Sequence, residues 1–344
     1  MNYAAVNTKA RAVYAKYIKQ SPQLQLLGID TSKAALAKLN ELWKLDIELP
    51  SGKETIDLYE VNKQMEHKVY EELKNFLYFF QGEERKFYSG LLERYKIRDI
   101  KRIFRTIVHG ENRNLLRESL VALNPTIIPE DGDWKAEKFI ETLKGTDYAR
   151  KLMVYTDIPD DRILFYIEMT LDKSYYENLI ERAKKLSGSS SKLALSLIGH
   201  HIDLLNITYL YRGKKTYSIL PQEMVNFLID GGEKLSRQKL SILAYEDIKE
   251  FLKIIADTKF SFLFPGGREA ANMDIRMERD LYTKFLNAYQ TSGFDIGKIL
   301  SITLLMELQI RDVSTVLEGK RLGINSNIVR DLLTIPLKEG EVWQ

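Results

Sequence analysis

The sequence predicts an all-α protein, and three observations carry that prediction. Prolines are few, 8 in 344 residues, and they fall mostly beside polar or glycine-containing stretches. Between them apolar residues recur every three or four positions, the spacing that gives a helix one apolar face. Alternating runs of the kind that build strands are scarce, and only YLYRGKKTYSI (209–219) tempts such a reading.

In chain order, Leu73, Phe76, Leu77 and Phe80 form a first apolar stripe. Val225, Phe227 and Leu228 form a second, on a helix that Pro221 opens, since proline suits the first helical position. Ile248, Phe251, Leu252 and Ile255 form a third. Loops are expected at LPSGKE (49–54), NPTIIPEDGD (124–133), SGSSS (187–191) and FPGGRE (264–269), with Pro159 marking a further break.

A pattern of nine residues occurs three times: IRDIKRIFR (97–105), LLNITYLYR (204–212) and IRDVSTVLE (310–318). Four columns are apolar in every copy: Ile97/Leu204/Ile310, Ile100/Ile207/Val313, Ile103/Leu210/Val316 and Phe104/Tyr211/Leu317. One column is polar, holding Asp99, Asn206 and Asp312. The last column holds Arg105, Arg212 and Glu318, which lie 107 and 106 residues apart. A tyrosine stands upstream in each copy, Tyr70, Tyr176 and Tyr282, at 35, 36 and 36 residues from that last column. Two landmarks at matched spacing, three times over, predict a triplicated helical unit with boundaries at 1–110, 111–216 and 217–344.

Each copy reads as a buried helix. The apolar columns cover one side, and the Asp/Asn column is a candidate for a structural hydrogen bond. Arg105 and Arg212 suit the negative end of a helix dipole. Gly110, Gly213 and Gly319 follow as expected C-caps. Glu318 departs from the arginine of the other copies, so the third unit differs there.

Composition excludes several function classes. Hydrophobic residues make up 44%, enough for large cores, and 51 basic against 48 acidic residues give a net charge of only +3. That balance does not point to nucleic acid. The absence of cysteine rules out disulfides, thiol nucleophiles and thiolate metal sites, and it fits a reducing interior. No run approaches the roughly 18 apolar residues that span a bilayer, and the N-terminus does not read as a signal peptide. The first 53 residues carry eight Lys/Arg and four Asp/Glu, an excess that could face acidic partners or lipid headgroups, with a solvated face as the simpler account.

Tempting sites have plain readings. His200-His201 are adjacent, so they point in different directions, and no histidine follows at i+4. SGKET (51–55), DGGEKLS (230–236) and PGGRE (265–269) lack the spacing of a phosphate loop. Asp160-Asp161, Glu71-Glu72 and Glu83-Glu84 sit in polar runs where solvation suffices. No catalytic, cofactor-binding or metal-binding residue is expected.

IDLLNITYLYRGK (202–214), RDIKRIFR (98–105) and ELQIRDVSTVLEGKRLGI (307–324) resemble the C-subunit family of bacterial and archaeal V/A-type ATPases, whose eukaryotic relative is the d subunit. The resemblance spans nearly the whole chain. It implies three similar helical domains about a pseudo-threefold axis, forming a funnel. It also implies a non-catalytic rotor subunit, peripheral on the cytoplasmic face of the membrane. The partners it implies are the proteolipid ring and the D and F subunits of the central shaft, and the role is to pass torque for H⁺ or Na⁺ transport. A helical repeat scaffold for an unrelated protein is the alternative. An α-helical enzyme is a third reading, for which the residues offer no motif.

Overall fold

A computed structural model describes residues 3–48, 57–110, 112–130, 132, 134–146, 148–155, 162–268 and 272–335. The expected loop at 49–54, the SGKET stretch, Pro159, Asp160-Asp161 and Glu269 lie outside them. The described residues contain helices and connections and no strand.

In chain order the helices are α1 (Tyr3–Tyr14), α2 (Pro22–Leu27), α3 (Ser32–Trp43) and α4 (Leu58–Lys74). There follow α5 (Gly82–His109), α6 (Arg113–Ser119), α7 (Ala136–Thr142), α8 (Ala149–Leu152), α9 (Arg162–Lys184) and α10 (Gly188–Lys215). The remainder are α11 (Pro221–Phe227), α12 (Arg237–Tyr245), α13 (Ile248–Ala256), α14 (Met273–Thr291), α15 (Gly297–Arg321) and α16 (Ser326–Asp331). Local chemistry sets many of their starts. Asp57, Asn112, Asp247 and Asn325 accept backbone N–H groups of the first turns of α4, α6, α13 and α16. Pro221 occupies the first turn of α11, as expected.

One succession of elements recurs. A helix of 17, 23 or 19 residues (α4, α9, α14) carries the landmark tyrosine. A short turn leads to a helix of 28, 28 or 25 residues (α5, α10, α15) that holds the nine-residue pattern. A short helix of 7, 7 or 6 residues follows (α6, α11, α16). The tempting strand at 209–219 is helical as far as Lys215. The break expected at 187–191 is shorter than its serines suggested, because α10 starts at Gly188. The stripe from Leu73 to Phe80 outlasts its helix: α4 ends at Lys74, a 3₁₀ segment covers Asn75–Phe79, and Phe80 is extended.

By packing, the chain divides into two compact units, Met1–Phe80 with Ala270–Gln344, and Gln81–Glu269. This is a division by contact, whereas the expected boundaries at 1–110, 111–216 and 217–344 rest on sequence spacing. In the first unit α15 is the core helix. Ile299, Ile302, Leu305, Met306, Val313, Val316 and Leu317 are fully buried, and α14, α4, α2 and α1 pack around it. A helix apolar on all sides belongs at such a centre. In the second unit α5 and α9 run antiparallel. Arg182 reaches the Lys86 carbonyl at 2.8 Å, the Tyr175 hydroxyl donates to the Leu91 carbonyl at 3.2 Å, and Lys101 pairs with Asp172 at 2.6 Å. Asp172 also accepts from the Tyr209 hydroxyl, so one carboxylate ties α5, α9 and α10 together. Burial, then the Asp172 charge, pushes the Tyr209 hydroxyl well above its usual pKa, which keeps it a donor.

Two of the three expected glycine caps are corrected. Gly110 does cap α5, with φ of 69°. Gly213 and Gly319 lie inside α10 and α15. Their value is the missing side chain. A Cβ at Gly213 would come within 2.8 Å of the Met224 sulfur on α11, and one at Gly319 would collide with the Val329 side chain on α16. Each glycine lets the short helix of its repeat close on the long one. Gly319→Leu is expected to lower stability by about 2–4 kcal/mol, since a bulky residue must displace α16. Chemical denaturation measures it, and a wild-type midpoint would refute the close-approach account.

Candidate functional site

The polar column of the repeat lies at the junction of the long and short helices in each copy. Asp99, Asn206 and Asp312 are fully buried. Each binds the backbone that follows the short helix, 22–24 residues farther on. Asp99 accepts N–H groups from Val121 at 3.0 Å, Ala122 at 2.7 Å and Leu123 at 2.9 Å. Asn206 accepts from the Ile229 N–H and donates to the Ile229 carbonyl, both at 2.9 Å. Asp312 accepts from the Thr334 N–H and hydroxyl, both at 2.8 Å, and from the Ile335 N–H at 2.7 Å. The offset is shared, and the identities follow the partners. Asp99 and Asp312 face only donors, which suits a carboxylate; Asn206 faces one donor and one acceptor, which suits an amide.

Burial pushes the Asp312 carboxyl up to about 6, against the opposing pull of the Thr334 and Ile335 amides, the Thr334 hydroxyl and Arg311. Burial also raises Asp99, against its three amides and Arg102. A carboxyl whose folded pKa exceeds its unfolded value of about 3.9 binds its proton more tightly when folded. Its favourable contribution is therefore complete below about pH 4 and is lost as pH rises through about 6. For Asp312 this amounts to roughly 3 kcal/mol. Between pH 4 and 7.5 the wild type is expected to lose up to about that much stability relative to Asp312→Asn. Urea midpoints of both proteins across that range measure it, and parallel profiles would remove Asp312 as the titrating group.

The last column behaves less uniformly. Arg105 Nε bonds Glu168 of α9 at 3.0 Å, one turn from the Lys101–Asp172 pair. Arg212 lies in the final turn of α10. Glu318 pairs instead with Arg321 at 2.6 Å, and that hydrogen bond holds its carboxyl below the usual range. Glu318 lines an open depression of about 680 Å³, together with Asp57, Asn62, Ser314 and Arg321.

Three supporting residues are not evident from the sequence pattern. Lys173 on α9 donates to the Asn226 carbonyl at 2.6 Å, and Arg279 on α14 donates to the Leu333 carbonyl at 3.0 Å and the Asp331 carbonyl at 2.7 Å. Both fasten the end of the short helix of their repeat. A signal existed: three residues before each landmark tyrosine stands a basic residue, His67, Lys173 or Arg279. Asp203 is the third, fully buried and accepting from Lys234 and Leu235 N–H at 2.7 and 3.1 Å. It anchors the DGGEKLS loop, whose Gly232 leaves room for that carboxylate. Its repeat counterparts Lys96 and Gln309 are not acids, so no column marks it.

The two histidines diverge, as adjacent helical residues must. His200 Nδ1 lies 3.6 Å from Glu233, which also accepts from Lys259 at 3.2 Å and from Ser196 at 2.7 Å. His201 Nδ1 lies 3.1 Å from the Tyr176 hydroxyl. Burial, then Arg94 and His200, push His201 down to about 3, so its ring stays neutral. Among the described residues, no group of three or more His, Asp or Glu could hold a metal ion, and no helix is long and apolar enough to cross a membrane.

In the comparison with known proteins, a family model described as the ATP synthase (C/AC39) subunit matches residues 6–332. The chain belongs to the ATP synthase C/AC39 subunit family. Among C/AC39 relatives, the C subunit of the A-type ATP synthase of Methanosarcina mazei is 25% identical over 350 residues, covering 97% of this chain and 93% of its own. That of Methanococcoides burtonii is 25% identical, covering 97% and 94%. That of Pyrococcus horikoshii is 22% identical, covering 76% and 72%. The matched residues include Asp99, Asn206 and Asp312.

Proposed function

We propose that this chain is the non-catalytic coupling subunit of a rotary A/V-type ATPase, standing between the central shaft and the proteolipid ring and passing torque between them. The observation that carries the reading is the match to an A-type ATP synthase C subunit along 97% of the chain. The funnel of three similar domains, 1–110, 111–216 and 217–344, belongs to the same proposal, as does a peripheral position on the cytoplasmic face of the membrane. The internal construction supports it. A torque coupling must resist twisting, and the long helices are cross-tied. Lys101, Asp172 and Tyr209 join three helices in the second unit. In the first, Gln309 donates to Gln23 at 2.7 Å and Ser314 donates to Asn62, which ties α15 to α2 and α4. Ties of this kind inside a low-dielectric core cost the most to break.

The test is purification of the ATPase complex from host membranes with this chain tagged. The proteolipid ring and the shaft subunits should travel with it. A chain recovered without either, while the complex assembles, would sink the proposal. Deletion should leave ATP hydrolysis by the head intact and uncouple it from ion transport.

A further inference from the structure

The N-terminal excess of positive charge takes on a form in the structure that the coupling role does not explain. Residues 1–29 contain Lys9, Arg11, Lys16 and Lys19 and no acid; the first is Asp30. The helix that begins this stretch, α1, lies between two turns of the first unit. On one side the Asn7 amide donates to the Gly293 carbonyl at 2.6 Å, in the turn joining α14 to α15. On the other, the Lys9 ammonium sits over the rings of Phe76 and Phe79, at 4.8 and 5.5 Å, in the 3₁₀ segment after α4. Residues 7 and 9 are about 3 Å apart along the helix axis, so both turns meet α1 within one turn and share one end of the unit.

Each turn carries an aromatic side chain held out into solvent. Tyr78 is 84% exposed and Phe294 81%, the two most exposed large hydrophobic residues of the described chain. Between them α1 presents Ala4, Ala5, Thr8, Arg11 and Ala12 to solvent. Two acids lie close by, and Glu72 also acts on Lys9. Asp295 accepts the Gly297 N–H at 2.8 Å, and Glu72 holds Lys16 at 3.3 Å and the Tyr17 hydroxyl at 3.0 Å.

We propose that this end of the first unit rests on a bilayer surface bearing anionic lipid, with Tyr78 and Phe294 entering the headgroup layer and Lys9 and Arg11 meeting lipid phosphates. Exposed aromatics on protruding turns suit the membrane interface, where an amphipathic or apolar ring meets both water and acyl chain. Cations beside them gain from the negative potential of the leaflet. A protein partner is the weaker occupant, because interface anchors fill pockets and these tips stand apart on two separate turns. The proposal rests on the coupling reading only in placing the chain at a membrane.

The test uses the full chain and sedimentation with vesicles of phosphatidylcholine alone or phosphatidylcholine mixed with phosphatidylglycerol. Binding is expected only with phosphatidylglycerol present and should weaken as salt rises. Lys9→Gln and Arg11→Gln should each lower the partition constant roughly fivefold, the equivalent of about 1 kcal/mol per charge. Tyr78→Ser combined with Phe294→Ser should lower it about tenfold or more. Both aromatics are exposed, so the variant folds, and its circular dichroism melt confirms that. Equal binding to both vesicle types, or binding untouched by the double variant, overturns the inference. So does a double variant that leaves vesicle binding unchanged but detaches the chain from the detergent-solubilised complex, because the tips would then meet protein. A chain that ignores vesicles yet purifies with ring and shaft refutes this surface and leaves the coupling role standing. A chain that binds vesicles through the tips but purifies without the complex does the reverse.

Discussion

Ile207→Asp is expected to abolish the native fold of the 81–269 unit. Ile207 is fully buried on α10, in an apolar column of the repeat, and it adjoins Asn206, which holds Ile229. The change removes a core side chain, a loss of about 2–5 kcal/mol by itself. It also places a carboxylate in a fully buried apolar column, and a buried charge without a built-in partner adds several kcal/mol more. A domain is stable by only about 5–15 kcal/mol, so the sum removes most or all of it. Ile100→Asp, at the same column of α5, should behave alike, since Ile100 is equally buried. Ile207→Val is the control and should cost about 0.5–1.5 kcal/mol. Thermal unfolding followed by circular dichroism reads the outcome. On the coupling role proposed above, membranes carrying the aspartate variant should hydrolyse ATP without moving ions. An aspartate variant that melts like wild type and supports coupled transport would show that these columns are not core.

The second large effect concerns the three buried polar residues, and it is expected from exchanging their chemistry. Asp99→Asn turns an amide NH₂ toward one of three backbone N–H groups that all need an acceptor. Asn206→Asp sets a carboxylate oxygen 2.9 Å from the Ile229 carbonyl it used to bond. Each exchange leaves buried groups unsatisfied and should cost about 2–4 kcal/mol near neutral pH. They separate by pH. The new carboxyl at position 206 can bond the carbonyl only when protonated, so its folded pKa lies above the unfolded value. Asn206→Asp should therefore be mild below about pH 4 and grow worse as pH rises. Asp99→Asn has no titrating group at that position, so its deficit should narrow as pH rises, because the native Asp99, raised by burial, loses its own contribution there. Urea denaturation at several pH values distinguishes them. If either exchange stays within about 0.5 kcal/mol of wild type throughout, the matching of donors to acceptors is not what selects these residues.

Much of the helical framework was legible in the sequence. The nine-residue pattern lies on α5, α10 and α15, and Tyr70, Tyr176 and Tyr282 lie on α4, α9 and α14. The Asp/Asn column was visible as a column, but its partners were not, because they lie one short helix away in unrelated residues: Val121, Ile229 and Thr334. The glycines mislead for a related reason. A glycine near the end of a helical pattern reads as a cap, and only the positions of Met224 and Val329 show that Gly213 and Gly319 serve close packing. Lys173 and Arg279 are hidden among 51 basic residues, and only their shared place before the tyrosine sets them apart.

What the sequence determined by itself was the helical class, the threefold recurrence of the pattern and the resemblance to rotary ATPase C subunits. All three rest on spacings of three, four and about a hundred residues along the chain, which need no knowledge of contacts. The tertiary structure alone decided why position 206 is an amide and positions 99 and 312 are acids, and which aromatics stand in solvent. Tyr78 and Phe294 look no different in sequence from Tyr88 and Phe285, which are buried. Helical periodicity is written in neighbours, but burial and hydrogen-bond partners depend on which distant backbone the folded chain brings alongside.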